Sequence, residues 1–478
     1  MNKIQNRTIN LFLWVFTLSV AFILTLPVLI QDGMFMDGVL YSAVSHNLAN
    51  DIGTFWFPSF SYNNLAGIQG SFHEQPPLVF GIQALFFKLL GDSMYVERFY
   101  IFLCLLINIG LIKKLWELIF KGDEHTKALS WLPVLFWISI PVCFWSFSNN
   151  MHENTVSIFV LASIIFILRT IQDKKPLHLI WAGLFIFLGS FSKGIPGLFP
   201  IAVPLVFMYK DQIPFKKTVL YSLALLGIVG FLYGIIMISS SARESLYNYF
   251  VLRLLKRVND VPTTSYYFDS LVRLVMESGI MIGIVLIIRL STRKLQLERT
   301  DHSKKAITFF MIGLLGVLPL MLTLVQKGFY MVPALPFIAI GFAILITPQI
   351  NMLLFKLEQS KFASALKIVF VLLAIISITL PILNVGKSSR DKQKLEDIHL
   401  LATAIPAKSV INCSPDLLGD WSLQTYLSRY YFISLDINSP HDLCIYSKEA
   451  FNSKKEELLQ NHDVLSNDLS YYVLLKNR

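Results

Sequence analysis

Long apolar runs separated by short polar connections make up most of the chain up to residue 385. Eleven of these runs approach the roughly 20 residues that a helix needs to cross a bilayer, and we predict a transmembrane helix for each. Two of them, 178–191 and 195–209, are short, and such spans need a thinned bilayer or a re-entrant path. The predicted spans are 10–30, 99–119, 128–147, 154–169, 178–191, 195–209, 218–239, 271–289, 306–325, 329–348 and 364–385.

The distribution of Lys and Arg predicts the orientation of these spans. The first run is too long for the core of a signal peptide, and Leu26–Ile30 offers no small-residue cleavage site, so we predict a retained helix. When Lys3 and Arg7 are placed in the cytoplasm, the connections on that side carry most of the basic residues between spans. The positive-inside rule therefore predicts a cytoplasmic N-terminus, and the odd span count predicts an extracytoplasmic C-terminus.

Three segments outside the spans are more than connections. The first outer loop, 31–98, contains an amphipathic run, Pro77–Phe87, that is typical of a helix on a membrane surface. The fourth outer loop, 240–270, is strongly basic. The tail mixes helical and strand-like patterns, so we predict two domains: a transmembrane domain, 1–386, and a small extracytoplasmic α/β domain, 387–478. Its predicted elements are helices at Lys392–Thr403 and Trp421–Tyr430 and strands at Ser409–Cys413, Leu443–Tyr446 and Tyr471–Leu475.

Composition excludes several classes of protein. Hydrophobic residues make up 54% of the chain, charged residues only 15%, and the mean hydropathy is +0.59. Globular domains carry about 25% charged residues, so a water-soluble or disordered chain is excluded. The net charge of +10 comes mainly from connections between spans, which indicates contact with membrane lipids and no nucleic-acid partner. We predict a multi-pass protein of the cytoplasmic (inner) membrane.

The four cysteines divide into two pairs. Cys104 and Cys143 fall in predicted spans and are expected to pack as small apolar residues. Cys413 and Cys444 fall on predicted strands outside the membrane, where a disulfide is permitted. Two buried, unpaired thiols are the alternative.

Polar residues gather at the outer ends of the spans, whereas the span centres carry almost no charge. An ion-coupled transporter would place carboxylates near the membrane midplane, usually in two similar halves. The pattern here favours a site at the outer interface. The residues at these ends are Asp37, His73, Glu74, Asn149, Asn150, His152, Glu153, Asn154, Ser192, Lys193, Arg253, Lys256, Arg257, Lys327 and Tyr330.

The basic outer loop opposes the positive-inside bias. Arg243, Arg253, Lys256, Arg257 and Arg273 lie within about thirty residues of one another. Guanidinium groups bind phosphate through paired hydrogen bonds, so a phosphate is the predicted partner. A solvated basic helix that touches anionic headgroups is the alternative.

Three carboxylates are candidates for chemistry. Asp37 precedes Gly38 and is either a turn residue or a base. Glu74 precedes Pro76-Pro77, which stiffen the chain. Glu153 opens the fourth span, where a carboxylate also complements a helix N-terminus. A divalent metal site formed by His73, Glu74 and His152 is a further hypothesis, although its spacing matches no standard ligand pattern.

Taken in order, these segments resemble the GT-C class of polyprenyl-phosphate-dependent glycosyltransferases, especially the group with protein O-mannosyltransferases and the lipid A aminoarabinose transferase. The resemblance covers about 330 residues and depends on the order and sidedness of short motifs. The matching pieces are Asp37-Gly38-Val39-Leu40-Tyr41, Glu74-Gln75-Pro76-Pro77-Leu78, Glu97-Arg98, Asn150-Met151-His152-Glu153-Asn154, Ser192-Lys193-Gly194, Tyr249-Phe250 with Arg253, and Lys327-Gly328-Phe329-Tyr330 with Pro333 and Pro336.

The resemblance implies an all-α polytopic GT-C fold with about 11 transmembrane helices, interfacial helices in the first outer loop, and a C-terminal α/β domain outside the shared core. It also implies transfer of a sugar from a polyprenyl-phosphate donor to a lipid, glycan or protein acceptor on the outer face. Two positions depart from the family pattern. Gly38 stands where the family has a second carboxylate, and Gln75 stands where it often has Lys.

The chemistry of such a transfer assigns roles to the candidates. The leaving phosphate needs its charge neutralised, which we assign to Lys193, Arg253 and Arg257, with Tyr330 as a hydrogen-bond donor. The acceptor hydroxyl must lose a proton, which we assign to Asp37 as base. Glu153 and Glu74 are positioning or metal-associated partners, and a divalent cation stays open as a cofactor.

Two other functions stay open at this point. A lipid-linked glycan polymerase or ligase would depend on paired arginines in a large outer loop, and here the loop with the acidic residues is equally prominent. A non-enzymatic glycolipid exporter would show a polar stripe across several spans. Neither pattern is clear in the sequence.

Overall fold

The computed structural model describes residues 2–62, 71–208, 213–256, 262–293, 302–466 and 468–478, with 2–7 described by their backbone alone. The chain forms two compact units. The helical unit comprises Met1–Val28, Ile101–Ser148 and His152–Val385, and the α/β unit comprises Leu29–Tyr100, Asn149–Met151 and Gly386–Arg478. The predicted domain boundary between residues 386 and 387 stays a prediction, and the last segment of the α/β unit begins next to it.

Helices account for most of the described residues. Six further segments are short 3₁₀ or π-type turns: Ile195–Gly197, Phe199–Ala202, Asn248–Leu255 (π-type), Leu318–Leu322, Gly328–Ala334 and Pro415–Gly419. The α-helices are α1 Asn2–Leu29, α2 Met36–Ala49, α3 Leu78–Leu90, α4 Tyr95–Ile119, α5 Glu124–Lys127, α6 Trp131–Ile138, α7 Pro141–Ser148, α8 Glu153–Asp173, α9 His178–Lys193, α10 Val203–Met208, α11 Phe215–Ile236, α12 Ser240–Tyr247, α13 Asp269–Glu277, α14 Gly279–Ser291, α15 His302–Val317, α16 Leu335–Glu358, α17 Phe362–Ile382, α18 Lys392–Ala404, α19 Trp421–Tyr431, α20 Lys448–Ser453 and α21 Lys455–Asn461.

The predicted polytopic helical fold is confirmed, whereas the count of eleven spans is not. Within the described residues, seven helices are long and apolar enough to cross a membrane, or up to nine if two bent pairs each count as one span. The predicted spans at 178–191 and 195–209 correspond to shorter apolar helices, His178–Lys193 and Ile195–Met208.

Both bent pairs have a local cause. The helix pair around residue 140 bends by 77°, and Pro141 begins its second part, where a missing N–H is tolerated. The pair around residue 278 bends by 51° at Ser278-Gly279, a residue combination that commonly interrupts helices. The sequence pattern predicted one span for each pair because the hydrophobic run continues through the bend.

Glycines bring neighbouring helices of the helical unit close together. A Cβ atom at Gly313 of α15 would lie 2.5 Å from Ile338 Cδ1 of α16, and one at Gly316 would lie 2.7 Å from Ala334 Cβ. Such small residues let helix backbones approach in a lipid environment, where packing rather than water exclusion drives association.

The α/β unit contains a five-stranded sheet with the order β2-β1-β3-β5-β4. β1 pairs with β2 and β3 in parallel, whereas β5 pairs antiparallel with β3 and β4. The predicted helices and strands of the tail correspond to α18, α19, β1, β3 and β5, and the sequence missed the other two strands. The strands are β1 Val410–Cys413, β2 Ser434–Asp436, β3 Leu443–Ser447, β4 His462–Ser466 and β5 Tyr472–Asn477.

One hydrophobic core unites distant parts of this unit. Met34 and Val39 pack in the same buried cluster as Ile398 of α18, Leu427 of α19 and Leu474 of β5. The beginning of the first predicted outer loop and the C-terminal sheet are therefore stabilised together. Burial of this cluster removes apolar surface from water, which is the main favourable term in such packing.

The cysteine alternatives are resolved in the α/β unit. Cys413 and Cys444 are both buried and neither forms a disulfide. Their strands are neighbours, but Cys413 lies opposite Ile445 and Cys444 lies opposite Asn412. The one-residue offset places successive side chains on opposite faces of the sheet, which accounts for two separate buried thiols.

Candidate active site

The start of α8 carries a buried ion pair. Glu153 lies in the first turn of α8, after His152 in the N-cap position, and Lys193 is the last residue of α9. Glu153 Oε1 lies 2.6 Å from Lys193 Nζ, and the two side chains are 1% and 9% exposed. Helix N-termini favour carboxylates and helix C-termini favour cations, so both helix dipoles stabilise this pair.

Aromatic rings border the ammonium group of Lys193. Nζ lies 5.8 Å from the ring centre of Phe329 and 5.7 Å from that of Tyr330. At these distances the negative ring faces attract a cation. Both rings belong to the 3₁₀ segment Gly328–Ala334, and Trp145 stacks on Phe329 with ring centres 5.8 Å apart. The structure therefore joins three predicted site residues, Glu153, Lys193 and Tyr330.

The turn after Lys193 requires a glycine. Gly194 has a φ of +75°, and a Cβ atom there would lie 2.0 Å from the hydroxyl oxygen of Tyr249. That hydroxyl donates a hydrogen bond of 3.3 Å to the Lys193 carbonyl oxygen. Tyr249 is buried and so fixes the end of α9. The backbone conformation and the contact with Tyr249 therefore explain why the motif Ser192-Lys193-Gly194 ends in a glycine.

The basic loop places its arginines in different environments. Arg253 is half-buried in the π-type segment Asn248–Leu255 and follows Tyr249 by four residues, which places both on one helix face. Arg243 is exposed. Arg257, predicted to bind the donor phosphate, lies outside the described residues.

Asp37 occupies the first turn of α2 and is half-buried. A negatively charged side chain stabilises a helix at this end, where the helix dipole is positive. The next residue, Gly38, permits a close backbone approach, because a Cβ atom there would lie 1.9 Å from the carbonyl oxygen of Asn149. A second carboxylate at position 38 would displace that segment, which gives a packing reason for the departure from the family pattern.

Two asparagines extend this contact. Asn149 Oδ1 accepts a hydrogen bond of 2.7 Å from the backbone N–H of Phe35, the N-cap residue of α2. Asn150 donates to Ser42 Oγ at 2.8 Å and accepts from Gln83 Nε2 at 3.0 Å. The segment therefore links α2 to α3. Sequence analysis placed these asparagines at a span end and found no such role for them.

The residues predicted to bind a metal are His73, Glu74 and His152, and the structure gives a specific contact for the first of them. His73 Nε2 hydrogen-bonds Ser71 Oγ at 2.6 Å, and burial lowers the pKa of His73 to about 4. Glu74 is half-buried, and the N-cap position of α3 belongs to Pro77. Among the described residues, no three or more His, Cys, Asp or Glu side chains are grouped to hold a metal ion. The structure therefore gives no support to the predicted metal site of His73, Glu74 and His152, which stays a prediction.

The α/β unit contains a second buried charge cluster. Glu97 lies in the first turn of α4, with Oε1 3.3 Å from Arg98 Nη1 and Oε2 2.7 Å from Arg429 Nη2. All three side chains are at most 3% exposed. Sequence analysis named Glu97 and Arg98 but missed Arg429. One signal was present, since Arg429 is the only charged residue of α19.

The predicted site residues therefore fall into two groups by unit. Glu153, Lys193, Arg253 and Tyr330 belong to the helical unit, and among them Lys193, Arg253 and the Tyr330 hydroxyl are groups that can donate to an anion. The other candidates, Asp37, His73 and Glu74, belong to the α/β unit, and of these Asp37 lies at a helix N-terminus.

One family model matches part of this chain. Residues 74–236 match the model of the dolichyl-phosphate-mannose-protein mannosyltransferase family. That range contains Glu74, Glu153 and Lys193 and excludes Asp37 and Arg253. No curated protein sequence matches the chain.

Solved structures share the fold. ArnT from Cupriavidus metallidurans bound to undecaprenyl phosphate has a TM-score of 0.63 at 14% identity, covering 98% of this chain and 97% of ArnT. Its apo state has a TM-score of 0.64 at 13% identity, covering 97% of each chain. The apo oligosaccharyltransferase of Archaeoglobus fulgidus has a TM-score of 0.55 at 12% identity, covering 90% of this chain and 64% of that one. The predicted resemblance to GT-C glycosyltransferases is confirmed, with an ArnT-like fold.

Proposed function

We propose that this protein is an integral membrane glycosyltransferase. It moves a sugar from a polyprenyl-phosphate donor to a hydroxyl or phosphate acceptor on the outer face of the cytoplasmic membrane. The observation that carries the proposal is the buried Glu153–Lys193 pair, which lies inside the range matched by the mannosyltransferase family. The ArnT relative with the same fold was crystallised with undecaprenyl phosphate, which supports a lipid-phosphate donor.

The pair can serve the leaving group. Cleavage of the bond between the anomeric carbon and the phosphate oxygen leaves charge on the phosphate, and a preorganised cation stabilises that charge. A lysine ammonium has three N–H donors, so Lys193 can stay bonded to Glu153 and donate to a phosphate oxygen as well. Glu153 is then a positioning residue that holds the buried Lys193 ammonium group in place.

Arg253 and Tyr330 complete the proposed phosphate-binding group. The ring of Tyr330 borders Lys193, and the hydroxyl group on this ring can donate a hydrogen bond. Arg253 is half-buried, and its planar guanidinium group matches two phosphate oxygens at once. A phosphate in such a partly dry environment binds more strongly than one in open water.

Asp37 is the proposed base. The acceptor oxygen attacks the anomeric carbon while its proton passes to the Asp37 carboxylate, and the phosphate leaves with the electron pair of the broken bond. A single displacement inverts the anomeric configuration. Asp37 lies in the first turn of α2, where the helix dipole stabilises a negative charge, and a carboxylate within hydrogen-bond reach of the acceptor can take its proton.

The test replaces Asp37 by Asn in the full-length protein. We expect sugar transfer from a short-chain polyprenyl-phosphate donor to fall by roughly 10²-fold or more, the usual scale for loss of a general base. Asp51→Asn is the control, because the Asp51 side chain is 94% exposed and should tolerate the change. Transfer is measured by mass spectrometry of the acceptor, with membrane insertion checked separately. Near wild-type transfer by Asp37→Asn would remove Asp37 from the mechanism.

A further inference from the structure

The C-terminal sheet has a cleft of about 760 Å³ at one edge. Two walls come from the segments that follow the parallel strands β1 and β3: Leu417 and Asp420 after β1, and Ser447 and Lys448 at the end of β3. Ligands of open α/β sheets bind outside the carboxyl ends of parallel strands. The cleft therefore occupies the place where this type of sheet holds a ligand.

Hydrogen bonds fix the remaining wall. The two carboxylate oxygens of buried Asp397 accept hydrogen bonds from the backbone N–H groups of Ser470 and Tyr471, at 2.7 and 2.6 Å. The backbone N–H of Lys448 donates to the Tyr471 carbonyl oxygen at 2.9 Å, which joins this wall to the end of β3. The cleft is therefore preformed, and binding would require little ordering of the chain.

Asp420 stabilises the cleft rather than its ligand. Lys394 Nζ lies 2.8 Å from both carboxylate oxygens, and Tyr472 Oη donates at 2.9 Å. The carboxylate also accepts the backbone N–H of Leu423, which makes Asp420 the N-cap of α19. Its acceptor sites are thus occupied by the protein.

The chemistry of the lining selects the class of ligand. A phosphate would require an excess of cations, whereas hydroxyl-rich molecules need donors, acceptors and an apolar face together. Tyr471 is 47% exposed and presents its ring at the edge, with its hydroxyl donating to Gln393 at 3.1 Å. Three lysines and three carboxylates line the cleft and balance in charge: Lys392, Lys394, Lys448, Asp391, Asp420 and Glu449.

We propose that this cleft is a saccharide-binding site that takes a neutral oligosaccharide of two or three units. Its volume falls within the range of roughly 300–1,000 Å³ that is common for small-ligand sites. Every lining residue belongs to 391–472, outside the family-matched range and apart from the residues assigned to sugar transfer. The site therefore binds sugar without transferring it.

The test uses the full-length protein in detergent micelles. Cellobiose, chitobiose and mannobiose are titrated, and binding is followed by saturation-transfer NMR. We expect at least one disaccharide to bind, and Tyr471→Ala and Lys448→Ala each to weaken that binding about tenfold, the scale for loss of one buried polar or aromatic contact. Lys455→Ala is the matched control, since Lys455 is an exposed lysine of the neighbouring helix α21 and should leave binding unchanged.

Three results would overturn the proposal. The first is the absence of binding by all three disaccharides at tens of millimolar. The second is equal binding by the wild type and both cleft variants, which would place the sugar elsewhere on the protein. The third is displacement of the sugar by inorganic phosphate in a manner that depends on Lys448, which would identify an anion site. Tyr471→Phe, which keeps the ring, should retain most of the binding and shows that a loss in Tyr471→Ala is not a folding defect.

Discussion

Two buried carboxylates occupy the same position in their helices but have different surroundings. Glu97 and Glu153 both lie in the first turn of a helix, and both are at most 2% exposed. Glu97 of the α/β unit is bonded to two arginines, Arg98 and Arg429. Glu153 of the helical unit is paired with a lysine that faces two aromatic rings.

The arginine cluster joins distant chain segments. Besides Glu97, Arg429 donates to the carbonyl oxygens of Asp92 and Ser93 at 3.1 and 3.0 Å, and Arg98 donates to that of Gln31 at 2.8 Å. A guanidinium group has five donors in a fixed plane, so these bonds hold one geometry. The Glu97 cluster is therefore suited to holding the fold.

The lysine pair allows movement. An ammonium group is a compact charge on a flexible stem, and its three N–H donors can rotate. Lys193 can therefore shift toward an arriving anion while Glu153 and the rings of Phe329 and Tyr330 still stabilise it. We therefore propose that the arginine cluster serves stability and that the lysine pair serves transfer.

Lys193→Met should give the largest effect, because it leaves the Glu153 carboxylate buried without its cation. We expect stability to fall by about 3–5 kcal/mol and transfer to fall more than tenfold. The double variant Glu153→Gln/Lys193→Met removes both charges and should recover most of the stability but none of the transfer. Thermal unfolding in detergent and the donor transfer assay measure the two effects. Recovery of transfer in the double variant would show that the pair is only structural.

Arg429→Leu tests the other half of the comparison. It removes the bond to the buried Glu97 carboxylate and takes a donor from the carbonyl oxygens of Asp92 and Ser93, so we expect a stability loss of about 3–5 kcal/mol. Transfer per folded molecule should stay within twofold of wild type. Arg478→Leu is the control, because its pair with Asp463 is more than half exposed on both sides and such pairs contribute about 0–1 kcal/mol. A large transfer defect in folded Arg429→Leu would contradict the assignment.

The sequence singled out Glu153 and Lys193, although not their pairing, whereas it missed Arg429 of the arginine cluster, and the difference has a physical reason. Glu153 and Lys193 stand at the ends of apolar runs, where a charge is conspicuous, and both belong to short family-like motifs. Arg429 lies in an amphipathic helix, where an arginine usually faces water. Its burial depends on Glu97, 332 residues earlier, and a local pattern carries no information on that contact.

Local sequence patterns also failed to predict very short strands and contacts that are made by the backbone. β2 has three residues, all buried, so it shows no alternation of polar and apolar positions. In the sequence, Gly38 indicated only that a carboxylate of the family pattern was missing. In the structure, the carbonyl oxygen of Asn149 fills the space that a side chain at position 38 would need. The helical class and the C-terminal α/β elements were predictable because long hydrophobic runs and alternating strands are local features.

Arg253→Ala extends the comparison to the basic loop. Arg253 is half-buried and Arg243 is exposed in the same loop, so Arg243→Ala is a matched control. If Arg253 binds the donor phosphate, its loss should weaken transfer more than tenfold, whereas Arg243→Ala should have a small effect that salt reduces further. Transfer with a water-soluble short-chain donor over a range of ionic strength measures both. Equal, mild losses at the two positions would favour a basic surface that contacts lipid headgroups.

The smallest expected effect is a pH dependence of stability at the edge of the arginine cluster. His46 is buried, with Nε2 2.8 Å from Asp92 Oδ1 and its ring stacked on Phe432. Burial and the nearby Arg429 guanidinium lower the pKa of His46 to about 4, although Asp92 opposes this shift. On acidification, His46 therefore takes up a proton near its ordinary pKa of about 6.5 in the unfolded chain. In the folded chain it takes up this proton only near pH 4.

The sign of the effect follows from that difference. Above pH 6.5 neither state is protonated and stability is at its full value, whereas between pH 6.5 and 4 the unfolded state binds the extra proton. The free energy of unfolding should fall by on the order of 1 to 2 kcal/mol from pH 7 to pH 5. His46→Phe keeps an aromatic ring and removes the titrating group, so its unfolding midpoint should depend less on pH in this window. His125→Phe, at an exposed histidine, should keep the wild-type dependence. Identical pH profiles for the wild type and His46→Phe would show that His46 does not couple the α/β unit to pH.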